Sequence, residues 1–539
     1  MLPERTFPFV MGRRKFLALS GLGLTGFLAS CSGVATSANG QATTPTSTVS
    51  QPTPTPTLQP SPVDSDWATL ASSLAGTLVR PGDAQYPVAH QLFSTRFDSI
   101  LPAGVAYCAS STDVQTCLSF VQRFHLPVTA RSGGHSYAGY STTTGLMLDL
   151  TRIKQVTVDT GAGTATIGGG AHLIDMYAAL AQYGVIIPGG SCPTVGIAGL
   201  TLGGGVGVLG RKFGLTCDNL LSAQVVLADG TLLTCDRQNH ADLFWALQGG
   251  GGGNFGLVTE FTFQVHPVSS LVLFTLNWPW SRAADVVNAW QHWGPQAPDE
   301  LWSNCLLLES TSKQTGPSVS VNGVYVGTAT VLNPLLQELI NQLGAPSSRY
   351  VYTDSLMDAM MAEAGCYGST VAACHLPSQD PQGTVARDTS KAKSDYINSF
   401  LPQAAIELLV NAINSRQTSA NLSGGGIGMD AFGGALNRVA ADATAFVHRD
   451  ALFSIQYTAS WNASDPTSVA SANALWLNNL WQSLRPYVSG SAYQNYIDPD
   501  LSGWQQAYYG ANLARLQQVK ATYDPGNLFH FAQSIVAVS

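Results

Sequence analysis

The chain has 539 residues, with 25 Lys and Arg against 33 Asp and Glu, a net charge of −8. Charged residues make up 11% and hydrophobic residues 45%, which excludes an intrinsically disordered chain. The acidic balance argues against nucleic acid as a partner, because phosphate neutralisation needs clustered Lys and Arg.

In chain order, Arg13-Arg14-Lys15 precedes an apolar run from Ala18 to Ala29. This is the pattern of a twin-arginine export signal, and the run is shorter than the about 20 residues of a membrane-spanning helix. Leu28-Ala29-Ser30-Cys31 resembles a bacterial lipobox, with Cys31 as the lipidated mature terminus. The expectation is an exported, extracytoplasmic chain that meets the membrane only through Cys31. Residues 1–31 are signal and lipobox. Residues 32–63, rich in Ser, Thr and Pro, lack apolar periodicity and read as a tether.

A folded body starts near Asp64. Thr112-Asp113-Val114-Gln115 looks like a capping box, with Val114, Cys117, Leu118 and Val121 on one helical face. A strand over Leu126–Ala130, a helix over 172–183 stopped by Gly184, and a strand over Val225–Ala228 entering an Asp229-Gly230 turn follow. The texture changes after His266-Pro267. Residues 268–492 carry longer strands (Leu271–Leu276, Ser318–Val326, Phe453–Thr458) and read as a second domain after a first domain at 64–267. A helix from Trp504 to Thr522 and a turn at Asp524–Asn527 belong to a C-terminal segment, 493–539.

Three segments carry chemistry. Arg131-Ser132-Gly133-Gly134-His135-Ser136-Tyr137 follows a strand, and its successive backbone N–H groups suit an anion such as a diphosphate. Gly189-Gly190-Ser191-Cys192-Pro193-Thr194-Val195-Gly196 leads into Gly199 and Gly203-Gly204-Gly205, a density of glycine that implies close approach of backbone to a flat or phosphorylated partner. The third is Asp242–Gln248, five glycines at 249–253, and Asn254-Phe255-Gly256-Leu257-Val258. No Rossmann fingerprint, Walker loop or short-range metal-ligand pattern is present, so no metal is expected.

In this order the segments resemble the vanillyl-alcohol oxidase family, in its berberine-bridge-enzyme-like branch. The resemblance covers about residues 90–267 and 424–535. It implies an α+β fold: a PCMH-type FAD-binding domain of two small sheets, plus a substrate domain with an antiparallel sheet backed by helices. It implies FAD bonded to His135 through the 8α-methyl and to Cys192 at ring position 6. Both side chains are nucleophiles suited to an electron-poor flavin. The cofactor-binding set is then His135, Cys192, Arg131, Ser132, Gly133, Gly134, Ser136, Gly190, Val195, Gly196, Gly199, Gly203, Gly204, Asn254, Gly256, Val258, Asn527 and Phe529. Leu200 stands where the family often has His, so a donor towards the flavin's N1 and C2 carbonyl edge is missing there.

Tyr496, in Asn495-Tyr496-Ile497-Asp498, matches the family's base, with Asp430 as an assisting acid and Gln456 on a strand lining the cleft. An unperturbed Tyr titrates near 10 and needs activation for that work. The implied reaction is hydride transfer from an alcohol carbon of a sugar or secondary metabolite to flavin N5, with O2 as acceptor and hydrogen peroxide as product. Val195, three residues after Cys192, matches a position where Val goes with oxidases and Ile or Leu with dehydrogenases. The alternatives are a dehydrogenase with another acceptor, or a non-catalytic binding lipoprotein. A monomer is expected. His448-Arg449 reads as a structural pair, Cys366–Cys374 as a disulfide, and Cys108–Cys117 as a weaker candidate for one.

Overall fold

The computed structural model describes residues 61–310, 314–419 and 424–538. The twin-arginine signal, Cys31 and nearly all of the tether lie outside the described residues. The first sheet holds β1 (Thr77–Val79), β2 (Gly104–Tyr107), β3 (Val128–Arg131) and β4 (Leu146–Asp149) in the order β1-β2-β4-β3. β2, β4 and β3 run parallel, and β1 adds antiparallel to β2. The crossover from β2 to β3 is the helix Ser111–Phe124, which buries Val114, Cys117, Leu118 and Val121 as the periodicity predicts.

The cap of that helix is displaced from the expected one. Ser110 is the N-cap, and its hydroxyl accepts from Asp113 N at 3.2 Å. Asp113 instead accepts from Ala75 N, Gly76 N and Ala109 N, all within 2.9 Å, and ties the chain's entry onto the first sheet.

The second sheet is antiparallel, in the order β5-β6-β10-β8-β9: β5 (Val156–Asp159), β6 (Thr164–Gly168), β8 (Leu220–Val226), β9 (Leu232–Asp236) and β10 (Leu257–Gln264). A short ribbon of β7 (Val185–Ile186) and β11 (His266–Pro267) leads out of it.

The third sheet has seven antiparallel strands in the order β15-β12-β14-β13-β17-β18-β16. These are β12 (Ser270–Trp278), β13 (Leu301–Leu308), β14 (Ser318–Tyr325), β15 (Ser348–Ser355), β16 (Ser390–Ile397), β17 (Gly425–Ala431) and β18 (Phe453–Ser460). One face carries Phe274, Leu276, Leu307, Val321, Ile427 and Ile455. It packs under the helices Ala283–Trp293, Ala329–Leu343, Gln403–Thr418 and Thr467–Leu484. Each such side chain contributes about 1.5–3 kcal/mol when fully buried.

The period of two puts polar residues on the opposite face. Asn304 stands opposite both Asn322 and Asp430, Asp430 opposite Ser454, and Gly428 opposite Gln456.

Two further expectations change. The helix expected over Trp504–Thr522 is two, Trp504–Tyr509 and Leu513–Tyr523, broken where Gly510 takes a positive φ of 49°. Cys366 and Cys374 are bonded, but Cys108 and Cys117 are free thiols in the apolar core under the first sheet. The Cys108 thiol contacts the Ala106 carbonyl at 3.7 Å, and its hydrogen bond with Cys117 together with burial pushes its pKa up.

Candidate functional site

The loop after β3, the loop after β7 and the polar face of the third sheet enclose a cavity of about 290 Å³. Its walls bring together His135, Cys192, Val195, Gln456 and Tyr496, which are up to 361 residues apart in the chain. Ser132, Gly133, Gly134, Ser136, Gly190, Gly196, Gly199, Gly256, Val258 and Phe529 also line it.

The two glycine-bearing loops are pressed against each other. A side chain on Gly133 would run into the Gly196 N and the Thr194 carbonyl, and one on Gly196 would run into Ser132. Glycine is needed there so that the loops can meet. At Gly199 the reason is different: a Cβ there would meet no atom within 4 Å, so the helix Ile197–Leu202 borders open space.

His135 and Tyr496 are both held by neighbouring side chains. His135 Nε2 lies 2.7 Å from Thr194 Oγ1, and its ring stacks on Phe93 with centroids 4.0 Å apart. Thr194 therefore joins the two loops through its side chain. Tyr496 stacks on Tyr137 at 5.5 Å and 7°, and Gln456 Nε2 donates to the Tyr137 hydroxyl at 3.1 Å. Tyr493 meets Tyr496 edge to face at 4.9 Å. The Tyr493 hydroxyl accepts from Gly205 N, Val206 N and Asn495 Nδ2, at 3.0 to 3.1 Å. Leu200 lines the cavity and offers its carbonyl to Asn495 Nδ2 at 3.0 Å.

The other expected site residues stand off the wall. Arg131 is buried in an ion pair with Asp149, and its guanidinium donates to the Ala89 and Gln91 carbonyls at 2.7 and 3.0 Å. It braces the loop from behind. Gly203 and Gly204 make room for Asn495 and Phe446. Asn254 Oδ1 accepts from Ile535 N at 2.9 Å, clasping the C-terminal segment. Asn527 holds a positive φ of 51° in the turn below Phe529. Lys520 Nζ locks this arrangement through Asp524 Oδ2, Asn254 O and Phe529 O, at 2.6 to 2.7 Å. Asp430 is buried on β17, on the same face as Gln456 and two residues along from Gly428, which stands opposite Gln456, and it does not line the cavity. His448, stacked on Tyr396 and hydrogen-bonded to the Tyr508 carbonyl at 3.1 Å, is pushed down to about 3 by burial; Arg449 pairs with Asp218.

Residues outside the expected set also shape the cavity. Tyr137 closes the first motif, and Phe93 precedes every motif. Asp388 lines the cavity, and burial pushes its carboxyl up to about 6. It lies in a stretch with no pattern to single it out.

The wall fits FAD. Among the described residues the N–H groups of Gly133 and Gly134 donate no hydrogen bond, and the Gly199 edge is open. Anion donors, a flat opening and two nucleophilic side chains thus border one space.

Residues 102–236 match the family described as FAD binding domain, and residues 492–536 the one described as Berberine and berberine like. The chain is 34% identical over 469 residues to the Uncharacterized FAD-linked oxidoreductase YgaK of Bacillus subtilis (strain 168), covering 86% of this chain and 97% of that one. It is 29% identical to the Monolignol oxidoreductase AtBBE-like 13 of Arabidopsis thaliana, covering 79% and 82%. Among solved structures, wild-type Physcomitrella patens BBE-like 1 superposes with a TM-score of 0.79 at 32% identity, covering 88% of this chain and 99% of that one. A chitooligosaccharide oxidase gives 0.77 at 28%, with the same coverage.

Proposed function

The chain belongs to the berberine-bridge-enzyme-like family of FAD-linked oxidoreductases, and on that premise we propose that it is an exported, bicovalently flavinylated alcohol oxidase. The observation that carries this reading is the meeting of His135, Cys192, Val195, Gln456 and Tyr496 on one cavity wall. When bound, FAD supplies a hydride acceptor that O2 can reoxidise, with hydrogen peroxide as the product.

His135 and Cys192 are the two attachment points, one from each of the loops joined at Gly133 and Gly196. Thr194 orients the His135 imidazole. Tyr496 takes the substrate hydroxyl proton. Its ring is held parallel to Tyr137, whose hydroxyl is anchored by Gln456. Asp430, on the same sheet face as Gln456, is the acid that assists Tyr496.

The substrate is an alcohol on a sugar, an oligosaccharide or a secondary metabolite. The polar face of the third sheet supports it, and so do two structural neighbours, a chitooligosaccharide oxidase and a variant that is a glucose oxidase. A panel of oligosaccharides and polyphenol alcohols, read by peroxide release, tests this. Flavin reduction without peroxide would replace the oxidase by a dehydrogenase. Export by the twin-arginine route, anchoring at Cys31 and a monomeric state complete the proposal. Arg13→Lys with Arg14→Lys traps the protein in the cytoplasm, and Cys31→Ala releases it from membranes. Equal membrane partition of wild type and Cys31→Ala would remove the anchor.

A further inference from the structure

A second cluster lies on the seam between the FAD-binding domain and the substrate domain. His172 and Asp175 flank the start of the helix Leu173–Ala181, and His375 follows Cys374 in the disulfide-closed loop of the substrate domain. One donor atom from each can be chosen so that all three lie within 4.8 Å of one another. Asp175 Oδ2 is 3.2 Å from His375 Nε2 and 3.9 Å from His172 Nδ1. Both histidines are buried, and Asp175 is partly open to solvent.

Two details of the hydrogen bonding bear on what this cluster does. His375 Nδ1 lies 3.0 Å from the Val371 carbonyl, so it carries the hydrogen of that bond. Without a cation Nε2 is hydrogen-bonded to Asp175 Oδ2; a cation would displace the proton between them and take the Nε2 lone pair, the arrangement that orients metal-ligating histidines. His172 turns Nδ1 towards Asp175, and its Nε2 is buried with no hydrogen-bond partner among the described residues, so no other polar contact holds the ring away from the cluster.

We propose that His172, Asp175 and His375 bind one divalent cation of the zinc class and staple the two domains together. Two imidazoles and one carboxylate select borderline metals such as Zn(II) over Mg(II) or Ca(II), which take oxygen donors. Tetrahedral Zn(II) with bonds of about 2.0–2.1 Å places its donors about 3.3 Å apart. The 3.2 Å separation already matches, and with all three donors within 4.8 Å of one another the His172 ring closes the remainder by a movement of at most about 1.5 Å. The fourth position falls to water on the exposed side of Asp175.

The staple reaches the flavin wall. The residues around His172 are bonded to the loop that carries Cys192: Leu173 N to Val195 O at 3.0 Å, Ile174 N to Pro193 O at 3.1 Å, and Ile197 N to Ala171 O at 2.9 Å. A bound cation fixes that loop relative to the substrate domain. It is a positioning site and not a catalytic one.

The test uses the purified full-length flavoprotein, treated with a chelator and then titrated with Zn(II) alone. Elemental analysis and calorimetry should find one equivalent bound. The thermal midpoint should rise as zinc is added, as required for a ligand that binds only the folded state. His172→Ala, His375→Ala and Asp175→Asn should each weaken binding by more than about 100-fold, above the 10–100-fold that outer partners of a metal site are worth. The flavin absorption spectrum, unchanged in the variants, reports that they are folded. If the alanine variants lose the flavin, Asp175→Asn alone decides the matter. No stoichiometric zinc in the wild type, or equal zinc affinity in wild type and Asp175→Asn, would overturn the proposal.

Discussion

The rings of Tyr137 and Tyr496 lie parallel to within 7°, with centroids 5.5 Å apart, although one closes the first glycine motif and the other opens the C-terminal segment. Gln456 donates to the Tyr137 hydroxyl at 3.1 Å, so three distant parts of the chain share one arrangement. A proton acceptor at Tyr496 depends on this stack for its position. Tyr496→Phe deletes only the hydroxyl. It should slow substrate-driven flavin reduction by about 10²–10⁴, the worth of a positioned base. Tyr137→Phe removes the acceptor of Gln456 and should cost only about 0.5–1.5 kcal/mol, a several-fold loss. Single-turnover stopped-flow compares the two, and undiminished reduction by Tyr496→Phe would assign the base elsewhere.

His135 and Cys192 sit on loops that meet at Gly133 and Gly196. His135→Ala and Cys192→Ala should each leave flavin on the acid-denatured polypeptide through the remaining bond. The double variant should release all of it. Fluorescence of the washed precipitate is the measurement, and a wild type that releases all its flavin would end the bicovalent proposal.

Arg131 shows where a motif residue turned out to have a different employment. Its guanidinium is buried beside Asp149 and bonded to two carbonyls of the preceding loop. Removing one partner of a buried pair leaves an uncompensated charge and costs about 3–5 kcal/mol. Arg131→Ala should lose that much in urea unfolding. The double change Arg131→Met with Asp149→Leu should lose much less. Equal losses would show that the loop contacts matter more than the charge.

The elements most legible in the sequence were those with strong local periodicity. The helix Ser111–Phe124 and the strands around 270–276, 318–325 and 453–460 fall close to their expected ranges. Local pattern misjudged the cap, because Asp113 bonds to residues 37 and 38 positions away. It ran two helices together at Gly510, which takes a left-handed φ of 49° where a side chain would meet Val447. The glycine loops were legible as close approaches, but not that Gly133 and Gly196 approach each other. His172, Asp175 and His375 left no short-range signature, since 200 residues separate Asp175 from His375. Asp388 was invisible for the same reason: only burial makes its carboxyl unusual.

His448 sets an acid limit on the fold. Burial lowers its pKa from 6.5 to about 3. Below pH 6.5 the unfolded chain takes a proton there that the folded chain refuses. The contribution is therefore complete above 6.5 and is lost as pH falls from 6.5 towards 3, at about 1.4 kcal/mol per pH unit. Urea midpoints at pH 7, 6, 5 and 4 should fall along this limb. His448→Gln, which cannot titrate, should flatten it. An acid limb of the same steepness in the variant would assign the loss to other groups.

Val195 governs the last prediction, the choice of electron acceptor. It lines the cavity three residues after Cys192, and its N–H bonds to the Cys192 carbonyl at 3.3 Å, so its place relative to that side chain is fixed by a turn. Its carbonyl is held by Leu173 N at 3.0 Å, which prevents the backbone from yielding. A β-branched side chain is stiff at its first torsion and keeps the neighbouring volume open. Leu adds a methylene, and packed surroundings do not absorb one without strain. Val195→Leu should leave substrate-driven flavin reduction nearly unchanged, while reoxidation by O2 slows by at least an order of magnitude. Stopped-flow mixing of each reduced protein with oxygenated buffer separates the outcomes. Equal rates would remove Val195 as a gate, and slow reoxidation in the wild type itself would make the protein a dehydrogenase.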